Sequence, residues 1–357
     1  MCDVTARSNY PNDAASFLHA LTTVGVVDER HCSILAQSKG TSTPSRYAGV
    51  VIDLHMHSNF SDGSDTPTQL AQNAHDLGIR AVALTDHDTT ASHDEMALAC
   101  SSLGVELIPG VEISLRDNEF PRHLADGTTS HRSVHVLAYF LPLEATHPVQ
   151  QRLSELRVDR DVRNRALVTL LNEKGFERIT LEHLTGLAGN VDSIGRPHFA
   201  SAMFELHPEI VGERTDESWG RLFAEWLGSD GQAYIPKTDM AIEQFVDAAR
   251  GSSTVFSVAH PLVNYLDAMD APTIEAQMPR IMASLRERGF KGIEAYYGGT
   301  NEATRSLMVK LTRDAGMIPT GGSDYHGAYK TDVKLGSGRS GDLRVPDEIL
   351  DELKAQR

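Results

Sequence analysis

The chain has few cysteines. Cys2, Cys32 and Cys100 are all that 357 residues contain, and no two form a C-x-x-C pair. That argues against a disulfide framework and a thiolate zinc site, so any metal must be held by imidazole and carboxylate. Long apolar runs are missing as well, and none approaches the roughly 20 residues needed to span a bilayer. The first thirty residues carry Asp3, Arg7, Asp13, Asp28 and Glu29 with no apolar core among them. No secretory leader is read there, and the expected location is the cytoplasm. Positive charge is in deficit: the formal net charge is −16, which argues against an extended nucleic-acid surface. It leaves room for a small anionic substrate, because a local cluster of cations overrules a distant mean field. Internal repeats and low-complexity tracts are absent too.

What remains is a soluble globular composition, 40% hydrophobic and 23% charged, long enough for one large domain with an insertion or extension. Residues 1–46 read as an N-terminal extension with short helices around 14–24 and 28–37, closed by the loop signal SKGTSTPSR. A strand–helix rhythm then begins. Strand-like runs fall at 48–54, 80–85, 105–113 and 133–140, with helices at 67–77, opened by Thr66-Pro67, and at 91–103. Such alternation predicts β-α units and a parallel sheet. From 148 to 240 the rhythm gives way to a mostly helical insertion, which starts with a long charged helix over 150–174 stopped by Gly175. Strands resume at 254–259, 292–295 and 317–320, with helices near 272–288 and 301–315. The expected organisation is a barrel-type α/β domain in two parts, 47–147 and 241–357, around the insertion.

The strand ends carry the chemistry. The stretch DLHMHSNFSDGS over residues 53–64 places His55 and His57 two apart, on one face of a strand, with Asp62 in a turn that can fold back toward them. The next strand ends in TDHD with His87, the third in GVEIS with Glu112, and the fourth carries His135. After the insertion, SVAHP supplies His260 and GGSDYHG supplies Asp324 and His326. Taken singly, each has a plain explanation as a core histidine, a turn aspartate or a solvated strand end. Together they put six histidines and three carboxylates along the sheet edge where α/β proteins build active sites. This is too many donors for one ion and enough for two or three sharing a bridging carboxylate. All-N/O ligation suits Zn, Mn or Fe. Three divalent ions against three carboxylates leave a charge of about +3, which matches a bound hydroxide and a phosphate dianion, so phosphate-ester hydrolysis is the chemistry read.

DLHMHSNFSDGSDTP, ALTDHDT, GVEIS, HVLAYF, AHP and GGSDYHG resemble, in order, the motifs of the PHP (polymerase and histidinol phosphatase) phosphoesterase family. The resemblance runs from about residue 50 to 340 and is nearest to the stand-alone nucleotide branch, which includes 3′,5′-nucleoside bisphosphate phosphatases and exonucleases of short RNA. It implies a distorted (β/α)7 barrel with a trinuclear metal centre. His55, His57, Glu112 and Asp324 would hold one ion, and Asp62, His87 and His326 a second. Glu112, bridging, would join His135 and His260 at a third. IGRPHFA, residues 194–200, is similar to the branch's G-R-P-H motif, which implies phosphate contact by Arg196 and phosphate binding or leaving-group protonation by His198. YIPK adds Lys237 as a further phosphate contact. The mechanism implied is direct attack of a metal-bridging hydroxide on phosphorus in a small phosphorylated substrate, a nucleotide. Three alternatives stand beside it: a histidinol-phosphate or other sugar-phosphate phosphatase, an amide or lactone hydrolase on a related metal barrel, and a non-enzymatic PHP module.

Overall fold

A computed structural model describes residues 52–123, 127–189, 194–228, 231–235, 240–266 and 268–357. The helices expected at 14–24 and 28–37 lie outside the described residues.

Strands β1 (Ile52–Met56), β2 (Ala81–Leu84), β3 (Glu106–His123), β4 (Thr129–Tyr139), β6 (Val255–Val258), β7 (Gly292–Tyr297) and β8 (Ile318–Gly322) follow one another in that order across the sheet. The two-residue β5 (Met240–Ala241) lies off this path, paired with β3. The path nearly closes on itself. Asp324 N–H donates to the His55 carbonyl at 2.8 Å and His57 N–H to the Tyr325 carbonyl at 2.9 Å, which joins the end of β8 to β1. Gly322 makes that closure possible, since a Cβ there would sit 2.4 Å from the Cβ of His55. The result is the distorted seven-stranded barrel expected, with a reversal that the sequence reading did not anticipate.

That reversal is β4, which runs antiparallel to both β3 and β6. The expectation of a parallel sheet is corrected there. Only residues 124–128 separate β3 from β4, and a parallel return needs a crossover of about a dozen residues or more, so a hairpin is the connection the chain can make. Strand β3 also runs well past the expected end at 113, because pairing with β4 satisfies its backbone as far as His123.

Helices α1 (Pro67–Asp76) and α2 (His93–Leu103) cover β1 to β3 from outside. The Thr66 hydroxyl accepts from Gln69 N–H and the Gln69 side chain from Thr66 N–H, a full capping box ahead of Pro67. Every residue of β1, β2, β6 and β8 is buried, as befits strands with helices outside and a filled interior.

Between β4 and β5 lie α3 (Pro148–Glu173), α4 (Leu181–Ala188), α5 (Arg196–Leu206), α6 (Pro208–Val211) and α7 (Asp216–Leu222). They gather an apolar cluster of their own around Leu171, Phe176, Phe199 and Met203. The long helix α3 belongs to both bodies of packing: Val149, Leu153 and Leu156 join the barrel core, while Leu167 and Leu171 join the second cluster. After β5 come α8 (Ile242–Ala248), α9 (Pro261–Tyr265), α10 (Ala271–Glu287), α11 (Glu302–Asp314) and α12 (Glu348–Lys354). No described helix is long and apolar enough to cross a membrane.

Candidate metal centre

His55 sits within β1 and His57 one residue beyond it, both fully buried. The turn that follows is forced by Gly63, where a Cβ would lie 2.2 Å from the His57 carbonyl oxygen. It brings Asp62 back so that Oδ1 lies 3.5 Å from His57 Nδ1. Asp86, at the end of β2, fastens the same turn. It accepts from Ser58 N–H and Oγ at 2.7 Å each, and from Ser61 and Ser92 Oγ at 2.6 Å. Asp53 ties β1 to the loop after β8, accepting from Ser323 N–H at 2.9 Å, Ser323 Oγ at 2.6 Å and Gly336 N–H at 2.8 Å. Because β4 is reversed, His135 reaches the site from the middle of its strand rather than from a carboxyl end.

All nine residues expected as ligands converge. His55 Nε2 and His57 Nε2 face each other at 3.2 Å. They lie 3.3 and 3.2 Å from Glu112 Oε2, and each is 3.5 Å from Asp324 Oδ1. Donors bound to one ion at about 2.1 Å stand about 3.0–3.4 Å apart, so these spacings fit a shared cation. Asp62 adds a second group, with Oδ2 3.6 Å from His87 Nε2 and Oδ1 3.4 Å from His326 Nε2. Glu112 Oε1 forms the third, 2.9 Å from both His135 Nδ1 and His260 Nε2. The grouping is tighter than the expected partition: His57 stands within ligand distance of Asp62, His87 and His326 as well. Asp62 Oδ1, His87 Nδ1 and His260 Nδ1 are buried with no hydrogen-bond partner among the described residues. Orphaned polar atoms of this kind, in a set made only of N and O donors, fit divalent metal.

The electrostatics agree. Burial would raise the Glu112 carboxyl, but the imidazoles of His87, His135 and His55 overrule it and hold the group well below the usual carboxylate range. His57 would be lowered by burial; hydrogen bonds with Asp324 and Glu112 lift it to about 9 instead. Burial leads in pushing His87 and His326 well below the ordinary imidazole value, so both rings are neutral and ready as ligands. Local strain collects here too. Among described non-glycine residues, positive φ occurs at Asp88, Phe140, His260 and Asp324, and only Phe140 is away from the cluster's ligands and their neighbours.

Above the cluster opens a cavity of about 750 Å³. Its walls bring together Arg160, Arg163, Arg196, Arg214, Lys330 and Arg339, a concentration of cations that the net charge of −16 hides. Arg196 lines this cavity. His198 is buried at 1% exposure and is not among the cavity-lining residues; its Nδ1 accepts from Gly195 N–H at 3.0 Å, capping α5. Burial drops its pKa to about 4, so the ring rests neutral at physiological pH. Lys237 lies outside the described residues.

The sequence reading missed several members. Glu294, in β7, is the chief one: its Oε1 lies 2.8 Å from His55 Nδ1 and its Oε2 accepts from His260 N–H at 2.6 Å. It thereby fixes the ring of one donor and the left-handed backbone of another. An acidic residue inside a strand with no exposed neighbours was the available signal, since such a charge needs a partner. Lys330, whose Nζ is 2.8 Å from Asp324 Oδ2, had no such signal. Glu294→Gln is expected to weaken metal binding about 10–100-fold, as loss of a carboxylate behind a ligating imidazole does elsewhere. Titration of the stripped protein with Mn²⁺ would measure it, and wild-type affinity in the variant would reduce Glu294 to a packing role.

The PHP domain family model matches residues 53–213. The chain is 27% identical over 279 residues to the 5′-3′ exoribonuclease Rnm of Escherichia coli, covering 78% of this chain and 85% of that one. It is 26% identical over 276 residues to the 3′,5′-nucleoside bisphosphate phosphatase of Chromobacterium violaceum, covering 77% and 87%. Among solved structures, a chain from Bifidobacterium adolescentis, assigned by inference as a metal-dependent phosphoesterase, matches with a TM-score of 0.67 at 26% identity. It covers 85% of this chain and 96% of that one.

Proposed function

Because the chain belongs to the PHP domain family of metal-dependent phosphoesterases, we propose that it hydrolyses phosphate monoesters of nucleotides, AMP-like or 3′,5′-bisphosphorylated. Three divalent ions, of Mn, Fe or Zn, would be held by His55, His57, Glu112 and Asp324, by Asp62, His87 and His326, and by Glu112 with His135 and His260. When bound, such ions lower the pKa of water and neutralise phosphoryl oxygens. The observation that carries the reading is the pair of facing ring nitrogens at 3.2 Å, ringed by carboxylate oxygens within 3.5 Å, under a cation-walled cavity.

The chain's own residues bind and orient the ester. Arg196 makes no ion pair among the described residues, so its planar fork is available to the non-bridging phosphate oxygens. His198 acts through the Gly195 N–H, fixing the start of α5 and with it Arg196. Lys330 and the Tyr297 hydroxyl, 2.8 and 3.2 Å from Asp324 Oδ2, occupy that oxygen and leave Oδ1 to face the two histidines.

A phosphate-release screen with Mn²⁺ across AMP, 3′,5′-bisphosphates, dinucleotides and sugar phosphates tests the proposal. Turnover is expected on the nucleotides; preference for a sugar phosphate, or no phosphate release with metal fully bound, would refute it. Short RNA ends form a second substrate class supported by Trp219 and Phe223 on the cavity wall, since bases stack on such rings.

A further inference from the structure

Asp88 follows the candidate ligand His87 and takes no part in holding metal, yet every polar group it has is committed. Its N–H donates to the Glu112 carbonyl at 3.0 Å, and its Oδ1 accepts from Ser114 N–H at 3.1 Å. Its carbonyl accepts from Arg157 Nη1 at 3.1 Å, and its Oδ2 pairs with Arg160 Nη2. The first two bonds hold Asp88 to β3 on either side of Ile113, and the last two hold it to α3. The residue is 2% exposed with a φ of +56°, a left-handed backbone that Asp and Asn accept more readily than most side chains.

Arg157, Arg160 and Arg163 are spaced three apart and so share a face of α3. Arg160 and Arg163 line the cavity. One residue on, Asn164 Nδ2 donates to the Ile194 carbonyl at 2.9 Å, two residues before Arg196. The joint at Asp88 thus lies between the part of α3 packed on the barrel core, up to Leu156, and the part packed on the helical cluster, from Leu167. Burial and then the nearby charge of Arg160 both disfavour the charged form of Arg196. Two neighbouring guanidiniums call for counter-charge: Asp88 pairs with Arg160, and the Asp62 carboxylate favours the charged form of Arg196 from the metal-cluster side.

We propose that Asp88 is a positioning residue: it registers α3 against the floor of the metal cluster, so that Arg160, Arg163 and Arg196 meet the substrate's phosphate at a fixed height above His87 and Glu112. For the identity of the substrate this rests on the phosphoesterase reading above. The joint itself does not, because it sets the affinity for phosphate with or without turnover.

The test uses the full-length, Mn²⁺-loaded protein and three variants: Asp88→Asn, Arg160→Gln and the double substitution. Asparagine keeps the left-handed backbone and both main-chain bonds while removing the charge. Inorganic phosphate is the calorimetric probe, bound Mn²⁺ is counted, and KM and kcat are measured on the best nucleotide of the screen. Each single variant is expected to keep its Mn²⁺, to weaken phosphate binding and KM about tenfold or more, as loss of a charge-assisted bond does, and to hold kcat within about threefold. The double variant is expected to be no weaker than the worse single one, since both remove the same contact. Phosphate affinity unchanged in the single variants, losses that multiply in the double, or Mn²⁺ lost from folded Asp88→Asn would each overturn the proposal. If Asp88→Asn fails to fold, Arg157→Gln decides in its place, because it breaks the bond to the Asp88 carbonyl and removes no cavity-lining group: a tenfold loss of phosphate affinity upholds the joint and wild-type affinity overturns it. Should the wild type bind phosphate but release none from any nucleotide, the phosphoesterase reading falls and the calorimetric outcomes still judge Asp88.

Discussion

Glu112→Gln is expected to lower phosphate release by on the order of 10³-fold or more while the barrel stays folded. No other carboxylate among the described residues touches so many of the candidate donors. Its Oε1 lies 2.9 Å from His135 and His260, and its Oε2 lies 3.2–3.3 Å from His55, His57 and His87. Glutamine keeps the length and replaces one oxygen by an amide that can only donate. That amide would point at ring nitrogens with no lone pair for a cation, and the negative charge shared by five imidazoles would be gone. Glu112→Asp is the informative companion, because it keeps the charge but shortens the reach by one methylene, so that one side of the bridge loosens. Turnover on the preferred nucleotide, read with bound metal and far-ultraviolet circular dichroism, checks the prediction. Activity within tenfold of wild type at full metal loading would remove Glu112 from its bridging role.

How legible was this centre from sequence? The His55–His57 pair was readable because a strand repeats every two residues, so both rings had to share a face wherever β1 lay. The scattered donors His87, His260, Asp324 and His326 were readable for a related reason: each follows the end of a strand of a barrel-type α/β sheet, the edge where such folds place chemistry, whereas Glu112, read as a strand end, lies inside β3. His135 lies in the cluster on a strand that runs opposite to the direction expected, since nothing in SVHVLAYF tells the direction of a strand. The short link from β3 could have, because it is too brief for a crossover. Helix starts were clear where caps were strong, as at Thr66-Pro67, whereas the far end of β3 was not, because Asp117 to Glu119 resemble a turn until β4 pairs with them. What stayed hidden were contacts made by tertiary arrangement alone. Asp86 gathers Ser58, Ser61 and Ser92, and Asp53 gathers Ser323 and Gly336 across 270 residues or more of chain. The arginines of α3 read as one polar face of a charged helix. Only their placement over the metal cluster distinguishes Arg160 and Arg163 from the exposed Arg165.

Removing metal is expected to abolish turnover and to destabilise the fold in a pH-dependent way whose sign the site determines. In the stripped protein burial opposes a proton on His57, but Asp324, Glu112 and Asp62 keep it there up to a pKa of about 9, and His55 is likewise raised well above the ordinary value against burial by Glu294, Glu112 and Asp324. These imidazolium ions take the place of cations in the stripped protein. Their contribution to its stability is fully present below the unfolded value of about 6.5 and is lost as pH rises through about 9. Metal must displace the same protons, so binding releases about two of them near neutral pH and affinity rises with pH until His57 has titrated. His87 and His326, held well below the ordinary value, are already neutral and add nothing to that release. The gap in Tm between loaded and stripped protein should therefore widen from pH 6.5 to 9. At metal a thousandfold above its Kd the stabilisation is about 4 kcal/mol, or about 5 °C for a chain of this size. Calorimetry at a series of pH values, in buffers of different ionisation enthalpy, would give the gap and the proton count together. A gap that narrows toward pH 9, or binding without proton release, would mean that His55 and His57 do not face the metal.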